Sequence, residues 1–434
     1  MENGRRLQMF DYDRMLSNIV GYFRANKYWN GLNAISFAQE KHATQMRKGS
    51  NLEYFCHPIL VAYLAVLLNL EPEIVAVALL HDVIEDAHAD FSALPVSKEV
   101  QDSVRAITIM KIKPDESKTD TKLRYYGRMD ENINALIVKL LDRLTNLTSM
   151  IDIMPHESIV KNVVETDQKL LVAVKRARKT KAVEFREKRD ALFVLQQTVR
   201  SINEPLAMLF KIEEVSRKKH DMARTHARLE GRLETKDENG RFIYDQADMA
   251  LMFAFESTEK YRNGDSKGLR SMLMAAFAIA FGINEDEAIA TILIGDLNIS
   301  DASIFSPSIQ RSLRRLKIVP LEGETPEKTI ERFYAELSQN KEALLAKALY
   351  RWTEICYGQV YGQGSISDEE MEVLIRETDL HLIPALDAGK NNFGELSSIF
   401  EFMIILLRLC YESIARYKNI NLEDKKGFYR GDYI

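Results

Sequence analysis

Apolar residues recur along this chain at three- and four-residue spacing nearly from end to end, and strict alternation is rare. That period lays one face of a helix on a core, so the pattern predicts an all-α protein. The spacing predicts helices over 31–46, 57–70, 72–86, 97–111, 119–127, 131–152, 157–178 and 182–213, with Pro114 and Pro155 punctuating the series. From Ser216 to Arg241 the pattern changes: SRKKHDMARTHARLEGRLETKDENGR is crowded with both charges and poor in large apolar side chains. Such a stretch reads as an exposed linker or a solvated helix and places a domain boundary within it. The expected organisation is an extension over 1–28, a domain over 29–215, a charged linker or helix over 216–244 and a second domain over 245–434.

The second half repeats the first. His57 to Glu73 sits over Ser271 to Glu287, and Ile74 to Asp82 over Ala288 to Asp296, at one offset of 214 (271 minus 57, 296 minus 82). Further on, Lys139-LLDRLTN resembles Lys347-ALYRWTE, and Glu165-Thr166-Asp167 resembles Glu377-Thr378-Asp379. Matches that keep their order point to a tandem duplication. The copies differ at polar positions: His57 becomes Ser271, His81 Gly295, Glu85 Ile299, Asp86 Ser300 and Asp142 Tyr350, while Asp82 persists as Asp296. The second copy keeps the apolar frame and loses the polar cluster.

Composition narrows the classes. With 434 residues the chain can bury two cores, and a formal charge of −5 from 59 basic and 64 acidic residues gives no field for wrapping nucleic acid or coating a membrane. Three scattered cysteines, Cys56, Cys356 and Cys410, form neither a disulfide framework nor a zinc site, which fits a reducing cytoplasm. The N-terminus mixes Arg5, Arg6 and Arg14 with Asp11 and Asp13 and lacks an apolar run, unlike a signal peptide. Met272 to Phe281, the longest apolar stretch, falls far short of the roughly 20 residues that span a bilayer.

The chemistry concentrates in Ala78 to Asp86, ALLHDVIED. His81, Asp82, Glu85 and Asp86 stand at i, i+1, i+4 and i+5, so a continuous helix puts the second pair over the first. The preceding Ile74 to Leu80 is apolar enough to be buried, where unpaired carboxylates are costly, and a divalent cation is the leading compensation. His57, ahead of Pro58, and Asp142 in KLLDRL complete a candidate set of two imidazoles and two carboxylates. That mixed nitrogen and oxygen set suits manganese, iron, cobalt or zinc rather than calcium. Glu85 and Asp86 are candidate proton acceptors for a water that the cation acidifies, which predicts hydrolysis. As acids at a helix C-terminus they would otherwise oppose the helix dipole.

Arg47 and Lys48, in a turn with Gly49 and Ser50, offer a phosphate grip, with a solvated loop as the alternative. Asn146, one turn beyond Asp142, faces the same pocket and suits a ribose hydroxyl or a phosphate; Arg143 suits an ion pair or a phosphate contact. His42, His88, His156, His220, His226 and His381 lack matched partners and read as surface or packing residues.

These segments resemble the HD-domain hydrolases of the RelA/SpoT homologue group, which degrade guanosine tetra- and pentaphosphate alarmones. The resemblance runs from Ile35 to Asp167 through AQEKHATQMRKGSN, CHPILVAYLAVLLNL, ALLHDVIEDA, VKLLDRLTNLTSM and VVETD. It implies an HD-domain helical bundle with a degenerate second HD-like copy, manganese on His57, His81, Asp82 and Asp142, and water attack assisted by Glu85 and Asp86. It also implies nucleotide contacts from Arg47, Lys48 and Asn146, and release of pyrophosphate from the ribose 3′ position. Thr145 stands where the family commonly has histidine or tyrosine, and Leu141 where alanine is usual. The second half has no counterpart of the family's synthetase domain, so the expectation is a hydrolase-only protein, with the second copy available for homo-oligomer contacts. Other HD phosphohydrolases, and a nucleotide-responsive binding module, are the rival readings.

Overall fold

The computed structural model describes residues 10–48, 52–110, 115–151, 153–215, 220–236, 238–240, 242–261, 264–357 and 366–422. Gly49, Ser50, Pro114, Ser216 and Arg241 lie outside them. Among the described residues the chain is all-α, with isolated bridges in place of strands. It divides between Val215 and Ser216 into two compact units. No helix among the described residues is long and apolar enough to cross a membrane.

In the first unit, α1 (Tyr12–Ala25) and α2 (Trp29–His42) lead into α3 (Cys56–Leu67) and α4 (Pro72–Leu80). Within the stretch expected as an extension, α1 buries Met15, Ile19 and Phe23 and packs against α2 and α3. Asp11 caps it by accepting from the Arg14 amide. Helices α3 and α4 are apolar all round and almost wholly buried, as befits central elements of a core. After a 3₁₀ turn at Phe91–Ala93 come α5 (Lys98–Ile107), α6 (Lys118–Asp130), α7 (Ile133–Ser149) and α8 (His156–Glu165). A π-helical turn, Thr166–Leu170, joins α8 to α9 (Leu171–Thr180), and the first unit closes with α10 (Ala182–Glu187) and α11 (Arg189–Leu209).

Two boundaries differ from the periodicity. The expected helix over 182–213 breaks at Lys188. More consequentially, α4 stops at Leu80, and residues 81–86 form successive turns. The backbone tightens there, with the Val83 amide on the Leu80 carbonyl and the Asp86 amide on the Asp82 carbonyl, and His88 takes a left-handed conformation at φ 54°. His81, Asp82, Glu85 and Asp86 are therefore carried by turns rather than by a continuous helix, with Asp82 and Asp86 still meeting at the Tyr54 hydroxyl.

The charged stretch after Val215 contains α12 (Met222–Leu233), which buries Leu229 and Leu233 within the second unit. There follow α13 (Asp245–Glu256), α14 (Lys267–Ala280), α15 (Asp286–Ile294), a 3₁₀ turn at Ala302–Ile304, α16 (Pro307–Arg315), α17 (Pro326–Leu337) and α18 (Lys341–Tyr357). Next come α19 (Asp368–Glu377), a π-turn at Thr378–Leu382, α20 (Ile383–Asn392), a 3₁₀ turn at Gly394–Leu396 and α21 (Ser397–Lys418). From α14 to α20 the order of helices, 3₁₀ turn and π-turn is the order found from α3 to α9.

A buried arginine secures each π-turn. A widened turn disturbs the regular ladder of backbone bonds, and side chains can supply the missing partners. Arg143 Nη1 donates to the Asn162 side-chain oxygen at 2.8 Å and, at 3.3 Å, to the Asn162 carbonyl, which also accepts from Thr166 Oγ1 at 2.7 Å. In the second unit Arg351 Nη1 donates to Thr378 Oγ1 at 2.8 Å and to the Leu374 carbonyl at 3.2 Å, while Nη2 donates to Glu377 at 2.7 Å. Removing one member of such a buried pair leaves an uncompensated charge. Arg351→Met is expected to destabilise the second unit by about 3–5 kcal/mol in denaturant unfolding. Adding Glu377→Gln should recover part of that loss.

Candidate metal centre

Three elements converge on one point of the first unit. Helix α3 brings His57, the turn after α4 brings His81 and Asp82, and α7 brings Asp142. His57 Nε2 lies 3.1 Å from Asp142 Oδ1 and 3.6 Å from Asp82 Oδ2. His81 Nε2 lies 3.0 Å from Asp82 Oδ2 and 3.6 Å from Asp142 Oδ1. His57, His81 and Asp142 are all buried, and their ligand atoms lie within 4.8 Å of one another.

The local backbone orients the donors. His81 Nδ1 donates to the Ala78 carbonyl at 2.8 Å, which turns Nε2 toward the carboxylates. That buried Nε2 has no hydrogen-bond partner: Asp82 is near but not aligned. Thr145 Oγ1 donates to the Asp142 carbonyl at 2.9 Å and lies 3.5 Å from His57 Nδ1, so it backs the imidazole. An orphaned nitrogen among two carboxylates and a second imidazole fits a divalent transition metal, with His57, His81, Asp82 and Asp142 as its holders.

The charges agree. Burial raises the carboxyls, but the ammonium of Lys139, 2.7 Å from Asp142 Oδ2, and the neighbouring imidazoles hold Asp142 well below the usual range. Asp82 is likewise held low against burial, chiefly by His81. Burial, then the charge of Arg47, lowers His57 to about 4. Against the cost of burial, Asp82 and Asp142 raise His81 to about 10, so binding a cation displaces a proton from this junction. Burial pushes Glu85 up to about 7, although the Ile109 amide and Lys139 oppose it.

The other expected site residues scatter more widely. Asp86 stays exposed at the rim, where the Tyr54 hydroxyl lies 2.5 Å from it and 2.8 Å from Asp82. Glu85 accepts from the Ile109 amide and lies within electrostatic reach of Lys139, Asp82 and Asp86. Asn146 donates to Asp142 Oδ1 at 2.5 Å, so it steadies a metal-ligand candidate. Arg47 donates to Ser149 at 3.3 Å beside the centre, and Lys48 is exposed. Arg143, expected in an ion pair or at a phosphate, donates to Asn162 at the π-turn and its charge acts on Glu165.

Sequence reasoning passed over Tyr54 and Lys139. Tyr54 precedes His57 by three residues, and its ring stacks on buried His42 at 4.8 Å. Lys139 stands three residues before Asp142, the helical spacing at which unlike charges meet, and that was the available signal.

In the second unit the corresponding positions are filled. Tyr350 donates to the Ile292 carbonyl at 2.5 Å, and its hydroxyl oxygen would lie 3.1 Å from a Cβ placed on Gly295. Asp296 is paired with the Tyr261 hydroxyl, as Asp82 is with Tyr54. Among the described residues, no other cluster matches the first unit's metal-ligand geometry.

Residues 34–171 match the HD domain. The match takes in His57, His81, Asp82 and Asp142 and ends inside the first unit. A Spiroplasma citri guanosine-3′,5′-bis(diphosphate) 3′-pyrophosphohydrolase is 31% identical over 146 residues, 32% of this chain and 19% of that protein. A GTP pyrophosphokinase of Brucella abortus is 31% identical over 27% of this chain and 16% of its own length. A Synechocystis protein named as a probable guanosine-3′,5′-bis(diphosphate) 3′-pyrophosphohydrolase is 30% identical over 29% of this chain and 17% of its own. The chain thus spans less than a fifth of the curated relatives it matches. No solved structure matches it.

After chelation, the full chain is expected to bind one divalent transition ion, measured by equilibrium dialysis with elemental analysis. His81→Ala should abolish stoichiometric uptake. Tyr54→Phe should keep the stoichiometry and weaken affinity about 10–100-fold, as loss of a group that orients a metal ligand does.

Proposed function

We propose that the first unit is a metal-dependent nucleotide phosphohydrolase that releases pyrophosphate from the 3′ position of guanosine tetra- or pentaphosphate, with manganese as its metal. The observation that carries this reading is the buried cluster of His57, His81 and Asp142 with Asp82 beside it, where His81 Nε2 lacks a hydrogen-bond partner. The relatives' printed names favour an alarmone substrate. A divalent ion held there supplies Lewis-acid charge that polarises a phosphoryl oxygen and acidifies an attacking water.

The chain's own groups do the rest. Asp86, at the rim, receives the proton of the attacking water, and Tyr54 keeps its carboxylate beside Asp82. Glu85, with a pKa near 7, is the second proton acceptor and sits one residue away. Arg47 and Lys48 bind the departing phosphates from the side of the centre. Thr145 backs His57 instead of stacking on a base, so recognition of the base falls to other groups and the substrate range extends to related 3′-phosphorylated nucleotides.

The second unit is proposed as a degenerate HD-like copy with a structural or dimerising role. The repeated order of elements, the retained Tyr261–Asp296 pair and the occupied positions around Tyr350 support that role.

With manganese and guanosine 5′-diphosphate 3′-diphosphate, the full chain should release pyrophosphate, and Asp82→Ala should lose that activity. A panel of adenosine and other 3′-phosphorylated nucleotides sets the base preference. Saturating nucleotide binding without turnover, metal bound, would instead favour a binding module. Because Glu85 acts when ionised, the rate should rise with pH through about 7. Glu85→Gln should remove that limb of the profile and cut the rate about 10²–10⁴-fold.

A further inference from the structure

The fold brings together two thiols that are 54 residues apart in sequence. Cys356 lies in the last turn of α18 and Cys410 in the middle of α21. Their sulfurs stand 3.6 Å apart, both as free thiols, 3% and 4% exposed. Cys56, the third cysteine, is half-exposed and lies in the first unit.

We infer that Cys356 and Cys410 form an oxidisable pair, a covalent modification site that takes a peroxide as co-reactant and closes a disulfide between α18 and α21. A thiol attacks the peroxide O–O bond, giving a sulfenic acid and releasing water or an alcohol. The second thiol then attacks that sulfur, the S–S bond forms and one water leaves. Closing the bond brings the sulfurs from 3.6 Å to about 2.0 Å.

Two features set the rate. Contact with Cys356 and burial keep the Cys410 thiol protonated, so the first step is slow. Entry is through the end of α18: Cys356 is next to the helix's last residue, Tyr357, and terminal turns fray at low cost. Once a sulfenic acid forms, its neighbour is already in place, and condensation outruns trapping by a second peroxide. The neighbouring segments gain a cross-link that constrains the unfolded chain.

The test uses the full chain, with Cys56→Ser to silence the third thiol. Protein is treated with hydrogen peroxide while folded, alkylated in denaturant and digested without reductant. The expected result is joint loss of both thiols, a peptide pair two hydrogens lighter linking Cys356 to Cys410, and no covalent dimer. Thermal unfolding of the oxidised chain should shift upward and return on reduction. Cys410→Ser should leave Cys356 alkylatable or further oxidised, with no linked peptide. Persistence of both thiols under peroxide that oxidises Cys56 in the unsubstituted chain would overturn the inference. So would a linkage found only between chains, or only when oxidation is done in denaturant.

Discussion

The first unit is organised around keeping one carboxylate ionised inside a core. Asp142 projects from a helix that is buried along most of its length, and moving such a charge out of water costs several kcal/mol even after relaxation. Its two oxygens are therefore surrounded: Lys139 on Oδ2, and Asn146 and His57 on Oδ1. Lys139 and Asn146 come from the same helix, so α7 carries both the acid and two of its supports. The third support must come from α3, which fixes how α3 and α7 pack. His81 and Asp82 can then join only where α4 ends against both.

That constraint explains which parts of the site were legible in the sequence and which were not. The apolar period made the helical class and most elements readable, because helix faces must meet a core whatever the chemistry. His57, His81, Asp82 and Asp142 were readable because polar side chains in apolar helices demand compensation. The end of α4 was not: apolar Val83 and Ile84 resume after His81 and Asp82, and only the tertiary bonds that Asp82 and Asp86 accept from the Tyr54 hydroxyl, and Glu85 from the Ile109 amide, show that the helix yields to turns there. Helix α1 was missed because its single stripe of Met15, Ile19 and Phe23 lies among charges. Arg143 illustrates the limit of adjacency. One residue from Asp142, it points about 100° away and serves the π-turn.

Comparing the units separates what packing requires from what chemistry requires. Both keep a π-turn tied by a buried arginine, a tyrosine paired with the aspartate after the fourth-helix run, and a 3₁₀ turn opened by an aspartate that accepts a serine amide. A π-turn is often taken as a functional sign. Its presence in a unit without the metal-ligand cluster makes it part of the frame.

The packing at Gly295 closes the second unit to a histidine at that position. A Cβ there would lie 2.6 Å from Leu316 and 3.1 Å from the Tyr350 hydroxyl, so no larger side chain fits until those neighbours retreat. A histidine there, as His81 stands in the first unit, would clash before it could ligate. Tyr350 would have to shrink first, leaving a void in the core with nothing gained. A ligating histidine at this position therefore needs both changes together, since each alone is harmful to the packing.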